Sequence, residues 1–196
     1  ASCLVGSEMC IRDSVTTLMG RGAFPDGHEL CLEMPGMHGN YTATTSIQNA
    51  DLLIAIGVRF DDRVTANPSF FAQNAKVIHA DIDPAEIGKV RDAQVPIVGD
   101  AKSVIKGLIE ALGDEKLDTE NWVSELKEMK TEFPLSYKQE DKGPLKVPYV
   151  LEELQKLTKE EAIVVAGVGQ HQMWVSQHWN FTEPNTWLNS GGLGTM

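Results

Sequence analysis

What this 196-residue sequence lacks already narrows its function. It has three cysteines, Cys3, Cys10 and Cys31, an odd number without paired spacing. That gives no disulfide framework, and the absence of any CxxC removes the usual zinc pattern. A reducing, cytoplasmic setting is the simpler reading. No apolar run approaches the roughly 20 residues a membrane helix needs, so no membrane partner is expected. Acidic residues outnumber basic ones, 28 to 17, for a formal charge of −11. An acidic chain repels phosphate backbones, so nucleic acid is not an expected partner either. No GxGxxG follows a strand, and NAD-type pyrophosphate binding is therefore unsupported.

Both ends read unusually. Residues 1–13 (ASCLVGSEMCIRD) show neither helical nor strand periodicity. They resemble translated sequencing-adapter read-through and are expected to be a non-native leader, with an unusual native loop as the alternative. Two of the three cysteines belong to that run. Residues 190–196 (SGGLGTM) form a Gly-rich stretch of the kind that leads into a helix or ligand loop, so the chain reads as a fragment.

Between these ends the pattern alternates. Residues 15–19 predict a strand, turned by Gly20 and Gly22, and residues 26–40 predict a loop. A short helix follows over 41–49. Residues 51–60 (DLLIAIGVRF), 76–83 (KVIHADID) and 95–100 (VPIVGD) read as three buried parallel strands. The last opens a helix over 101–112 with Val104, Leu108 and Leu112 on one face. This predicts a Rossmann-like doubly wound parallel α/β sheet, a central domain spanning 14–113. Residues 114–147 read as a helical linker carrying a charged helix at 122–133. A second α/β unit, 148–196, shows a helix over 150–157, a strand over 162–167, a turn at Val168-Gly169 and a helix from 170 to about 179. One obvious strand cannot bury its faces, so an isolated 147–196 segment is not expected to melt cooperatively.

Ligands in open α/β sheets sit beyond the C-terminal strand ends. At the first end, Gly57 allows close backbone approach and Arg59 is placed to grip a phosphate, or the heptamer GVRFDDR is a solvated ion-pair cluster. At the second, Asp81 is placed for a ribose hydroxyl, whereas Asp83 before Pro84 suits a helix cap. At the third, Asp100 is first a helix cap and second a nucleotide contact. The loop Pro35-Gly36-Met37-His38-Gly39 has one imidazole and no second ligand at metal spacing, so no metal site is expected there. Val168-Gly169-Gln170-His171 opens a helix whose N–H groups suit a diphosphate, or whose side chains simply pack.

Taken together, the segments TTLMGRGAFP, MPGMHG, ADLLIAIGVRFDDRVT, KVIHADIDPAEIGK, VPIVGD, FPLSYK, GVGQHQMW and WLNSGGLGTM resemble the acetolactate synthase catalytic subunit family. The resemblance runs from about residue 15 to the end, and RFDDRVT with GQHQMW is its most specific pairing. It implies a thiamine-diphosphate-dependent transferase that decarboxylates pyruvate and condenses the product with a second 2-keto acid, pyruvate or 2-oxobutanoate, in valine, leucine and isoleucine biosynthesis. It also implies FAD in an extended pose without net redox chemistry. Thr17, Leu18, Pro35, Gly36, Met37, His38, Gly57, Val58, Arg59, Phe60, Asp61, Asp81, Ile82, Asp100 and Ala101 would line the flavin. Asp62 and Arg63 would lie near the route to the active centre.

By the same resemblance, Val168, Gly169, Gln170 and His171 would meet the thiamine diphosphate phosphates. Gly194, Thr195 and Met196 would meet the aminopyrimidine ring, with Met196 as the wedge that keeps the cofactor bent. Thr195 stands where many members have Ala. The activating glutamate and the Mg²⁺ ligands are expected outside this chain, so the fragment itself is expected to be inactive. A homodimer or larger homo-oligomer and a small regulatory subunit are the implied partners. Pyruvate oxidase, glyoxylate carboligase and oxalyl-CoA decarboxylase are the enzyme alternatives, and a non-catalytic nucleotide-binding module is the alternative of another class.

Overall fold

The computed structural model describes residues 13–114, 117–159 and 161–191. Three strands, β1 (Leu52–Ile56), β2 (Lys76–Asp81) and β3 (Val95–Val98), form one parallel sheet in that spatial order. Its helices are α1 (Tyr41–Asn49), the single turn α2 (Asp62–Thr65) and α3 (Ala101–Leu112). A connecting helix, α4 (Glu120–Glu132), leads to a second unit of α5 (Val147–Thr158), β4 (Val164–Ala166), α6 (Gln170–His178) and β5 (Trp187–Asn189). This is a mixed α/β architecture built on parallel sheets.

Burial follows position in the sheet. β2 is the middle strand, and its Val77 and His79 are fully buried. The first core joins Val77 and Ala55 to Ile47, Phe60 and Phe71. β3 does not fit the expectation of a buried strand, since Val95 and Val98 are 47% and 61% exposed. It is an edge strand, and α3, which follows it, packs back toward β2. The crossover from β2 to β3 contains turns and no helix, so strand–helix alternation is less regular than expected.

Residues 15–19 do not form the expected strand. Ser14 makes a single parallel bridge to Cys31, and the Thr16 N–H donates to Glu33 O at 2.9 Å. The chain then winds into a 3-10 turn over Leu18–Gly20. The buried Arg21 explains the early departure: its two terminal nitrogens each donate to one Asp26 carboxylate oxygen at 2.7 Å. An extended path through Gly20 and Gly22 would not bring these side chains, five residues apart, into a fork. Gly22 has φ +80°, a conformation that favours glycine.

Helix ends follow local chemistry. Asn40 caps α1 by accepting from the Ala43 N–H at 2.7 Å, and Asp100 caps α3 by accepting from the Ser103 N–H at 3.1 Å. α5 begins three residues earlier than expected, because Pro148 fits a first helical turn whose N–H groups need no partner. β5 was not expected at all. It is three residues long, too short for a period to show, and is held by parallel pairing of Val164 with Trp187. Among the described residues the second unit therefore has two strands, with Trp187, Val175, Trp179 and Phe181 in its core.

α4 packs on the first unit: Leu126 joins Leu32 and Ala43, and Trp122 Nε1–H donates to Asp13 at 2.9 Å. Asp13, the last residue of the expected leader, is thus bonded into the described structure, while residues 1–12 lie outside the described residues. Cys31 is fully buried beside Asp26. Burial first, and then the Asp26 charge, push its thiol up to about 12. Because the thiolate is the nucleophile, native Cys31 is expected to resist iodoacetamide at pH 8 and to react after denaturation. Peptide mapping by mass spectrometry checks this, and rapid native labelling at Cys31 would contradict the buried placement.

Candidate cofactor site at the strand ends

The parallel register brings three loop starts to one edge. Ile56 lies opposite Ala80, and Asp81 opposite Val98. Gly57, Asp81-Ile82 and Gly99-Asp100 therefore line up along the C-terminal edge of the sheet. Gly57 has φ +64°, and a β-carbon there would meet nothing within 4 Å, so its backbone faces open space. Ile82 is 75% exposed on the same edge. Asp81 is buried, and one of its oxygens accepts from the Asp83 N–H at 2.9 Å. Asp83 in turn accepts from the Ala85 N–H at 2.9 Å, but this closes a turn, and with no helix after Pro84 the expected helix cap is not formed.

The turn after β1 is specified closely. Phe60 is buried with φ +53°, and Asp61 accepts from the Arg63 N–H at 3.0 Å as it caps α2. That hydrogen bond, ahead of the neighbouring charges, holds Asp61 below the usual carboxylate range. Arg59 reaches Asp61 at 3.4 Å and Arg63 reaches Asp62 at 3.7 Å, all four side chains being well exposed. Such pairs contribute little to stability, which leaves the guanidinium groups open to an incoming anion.

The loop of Pro35, Gly36, Met37 and His38 packs on this turn. The Met37 N–H donates to Arg63 O at 2.9 Å, and a β-carbon on Gly36 (φ +97°) would collide with the Arg63 backbone. Thr17 precedes the 3-10 turn that begins at Leu18. The Leu18 side chain packs into the second core, and its carbonyl accepts from Trp187 Nε1–H at 2.8 Å.

In the second unit, Gly169 stands before α6 with φ +152° and ψ −172°, a region that essentially only glycine enters. No side chain caps the helix there. Its first N–H groups, having no intrahelical acceptor, point outward beside the exposed Gln170 and His171. The His171 ring lies so close that a β-carbon on Gly169 would come within 2.9 Å of it. Val168 precedes this turn. The far end of α6 reaches the first site, where Gln177 Nε2–H donates to His38 O at 2.7 Å. Gly194, Thr195 and Met196 lie outside the described residues.

Several positioning residues had no signal in the sequence. Gln172 is buried inside the second unit and donates to Asn189 Oδ1 and Ser190 O at 3.0 and 3.1 Å, tying α6 to the end of β5 and the residue after it. Asp26 joins the two units: its carboxylate accepts from the Phe181 N–H at 2.7 Å, and its own N–H donates to Phe181 O. Nothing in their spacing marks these pairs, which lie 17 and 155 residues apart.

The residues present fit two ligands of known chemistry. The open, glycine-started strand edge suits an extended nucleotide cofactor, and the uncapped α6 N-terminus suits a diphosphate. Among the described residues, no three His, Cys, Asp or Glu side chains are grouped to hold a metal ion. No helix among them is long and apolar enough to cross a membrane.

An open parallel-sheet edge in one unit and a glycine-started, uncapped helix N-terminus in the other are features of the α/β class of proteins that bind cofactors. Residues 12–108 match the thiamine pyrophosphate enzyme central domain, and residues 167–196 match the thiamine pyrophosphate enzyme C-terminal TPP binding domain. The chain belongs to the thiamine pyrophosphate enzyme family, in its acetolactate synthase branch. It is 54% identical over 185 residues to the acetolactate synthase large subunit of Corynebacterium glutamicum, covering 93% of this chain and 30% of that protein. It is 55% identical over 186 residues to the acetolactate synthase of Mycobacterium leprae, with the same coverage. Acetolactate synthase 1, chloroplastic, of Zea mays is 48% identical over 185 residues, covering 92% of this chain and 29% of that protein. The chain thus spans about 30% of the length of the curated relatives it matches.

Proposed function

We propose that the protein carrying this chain is the catalytic subunit of an acetolactate synthase, converting pyruvate and a second 2-keto acid with release of carbon dioxide. The observation that carries this reading is the physical join between two cofactor-type surfaces, the Gln177–His38 hydrogen bond that ties α6 to the loop on the RFDDRVT turn. Thiamine diphosphate, when bound, supplies the carbanion stabilisation that decarboxylation of a 2-keto acid needs. The chain's own residues bind and orient. The N–H groups after Val168 and Gly169, with Gln170 and His171, hold the diphosphate, while Gly194, Thr195 and Met196 meet the pyrimidine end.

FAD lies along the strand edge on Gly57 to Asp61, Asp81, Ile82, Asp100 and Ala101, flanked by Thr17, Leu18 and the 35–38 loop. Asp62 and Arg63, both exposed, line the approach of the anionic substrate. Residues 14–113 act as the central domain, 114–147 as the link, and 148 onward as the start of the thiamine-binding domain. The Mg²⁺ ligands and the activating glutamate are supplied from outside this chain, and the partners are further copies of the catalytic subunit and a small regulatory subunit. The test is pyruvate turnover by the full-length product. Acetolactate formed only with thiamine diphosphate and Mg²⁺ is the expected result. Acetyl phosphate with peroxide, or no turnover, would move the protein to another branch of the family.

A further inference from the structure

We infer that His79 is a positioning residue that clamps the turn after β1 into the shape the strand-edge ligand meets. His79 comes from the middle of β2, opposite Ala55 of β1 and Pro96 of β3. Its ring is fully buried, and Nε2 lies 2.8 Å from Val58 O, across the strand gap in the turn itself. A carbonyl only accepts, so the proton of this bond sits on Nε2, and Nδ1 is buried without a partner. Leaving a buried polar nitrogen unpaired is unfavourable, so a residue placed this way is not explained by core filling.

The same ring braces the strained part of the turn. Phe60, a bulky residue at φ +53°, packs edge-on against His79 with ring centres 5.0 Å apart, and against Phe71 at 5.9 Å. A non-glycine side chain holds a left-handed backbone only where its surroundings fix it. One imidazole thus holds two of the five residues from Gly57 to Asp61, Val58 by hydrogen bond and Phe60 by packing. The outer faces of Gly57, Arg59 and Asp61 are left exposed toward the ligand. The flavin part of this inference rests on the reading that FAD lies on that edge; the clamp itself does not.

Two variants of the full chain separate the possibilities. His79→Leu keeps apolar bulk but removes the donor, and His79→Gln keeps an N–H near the Nε2 position. Hydrogen–deuterium exchange of the 57–61 amides is expected to quicken at least about tenfold in His79→Leu and to return most of the way in His79→Gln. FAD affinity, measured by titration of flavin fluorescence, is expected to fall about tenfold in His79→Leu and recover in His79→Gln, with thiamine diphosphate affinity unchanged. Unaltered exchange in His79→Leu, or equal damage in both variants, would overturn the clamp. If the parent chain binds no FAD, the flavin reading fails, and the exchange result alone decides the clamp.

Discussion

Asp26→Ala is expected to destabilise the protein by about 3–5 kcal/mol, the cost of leaving a buried charge without its partner. Arg21 and Asp26 form a two-pronged ion pair whose side chains are 2% and 0% exposed. Arg21 also donates to Thr16 Oγ1 at 3.1 Å and stacks over the Phe181 ring. Alanine at 26 would strand that guanidinium and also the Phe181 N–H, which reaches no other acceptor if the carboxylate is gone. Burial raises the Asp26 pKa despite the attraction of Arg21, so desolvation outweighs the Coulombic gain.

That sign leads to a sharper expectation. The double replacement Arg21→Met with Asp26→Leu removes both charges, so it should be less destabilising than Asp26→Ala alone, costing about 1–3 kcal/mol for the unpaired Phe181 N–H. Denaturant midpoints at unchanged m-value measure all three. A single variant within about 1 kcal/mol of the parent, or a double variant worse than the single, would remove the pair from its role as the join between the units.

The sequence was legible where physics is local. Apolar runs gave β1 and β2, the Asp100 cap and the 3.6-residue spacing of Val104, Leu108 and Leu112 gave α3, and the glycine before Gln170 gave the start of α6. It was illegible where structure depends on distant partners. Residues 15–19 have strand composition, but the Arg21–Asp26 fork turns the chain before a strand can run. β5 carries too few residues for any period, and its existence depends on β4 beside it. β3 has the composition of a buried strand, yet its place at the sheet edge leaves it exposed, and edge position is a property of topology rather than of the segment. Of the site, the strand-end residues were legible because parallel sheets place their loops at one edge. Gln177, Gln172 and His79 were not, because each acts by reaching a backbone carbonyl far away in the chain.

Gly169→Ala is expected to weaken thiamine diphosphate binding by about fivefold to 150-fold, the equivalent of about 1–3 kcal/mol of backbone strain. The observed φ of +152° with ψ of −172° lies in territory that a β-carbon excludes by contact with its own backbone. A second obstacle is His171, whose Cε1 and Nδ1 would stand 2.9 and 3.0 Å from the new carbon. Relief on either count rotates the peptide before α6 or swings the imidazole away, and both movements displace the groups proposed to hold the diphosphate. Gly167 supplies the control, two residues earlier on the same turn. A β-carbon there meets only His171 Nε2 at 3.8 Å, an ordinary contact, so Gly167→Ala should leave affinity within about twofold.

Adding His171→Ala to Gly169→Ala separates the two obstacles, since it removes the clash and leaves the dihedral strain. Partial recovery of affinity in the double variant assigns a share of the loss to the ring. None assigns it all to the backbone or to a donor that His171 itself provided, and His171→Ala alone distinguishes those. Calorimetric titration with thiamine diphosphate and Mg²⁺ measures each case, with FAD affinity as the check that the strand edge is intact. Equal losses at Gly167 and Gly169 would mean that any added bulk disturbs this turn, and the special backbone of Gly169 would then have no part in holding the diphosphate.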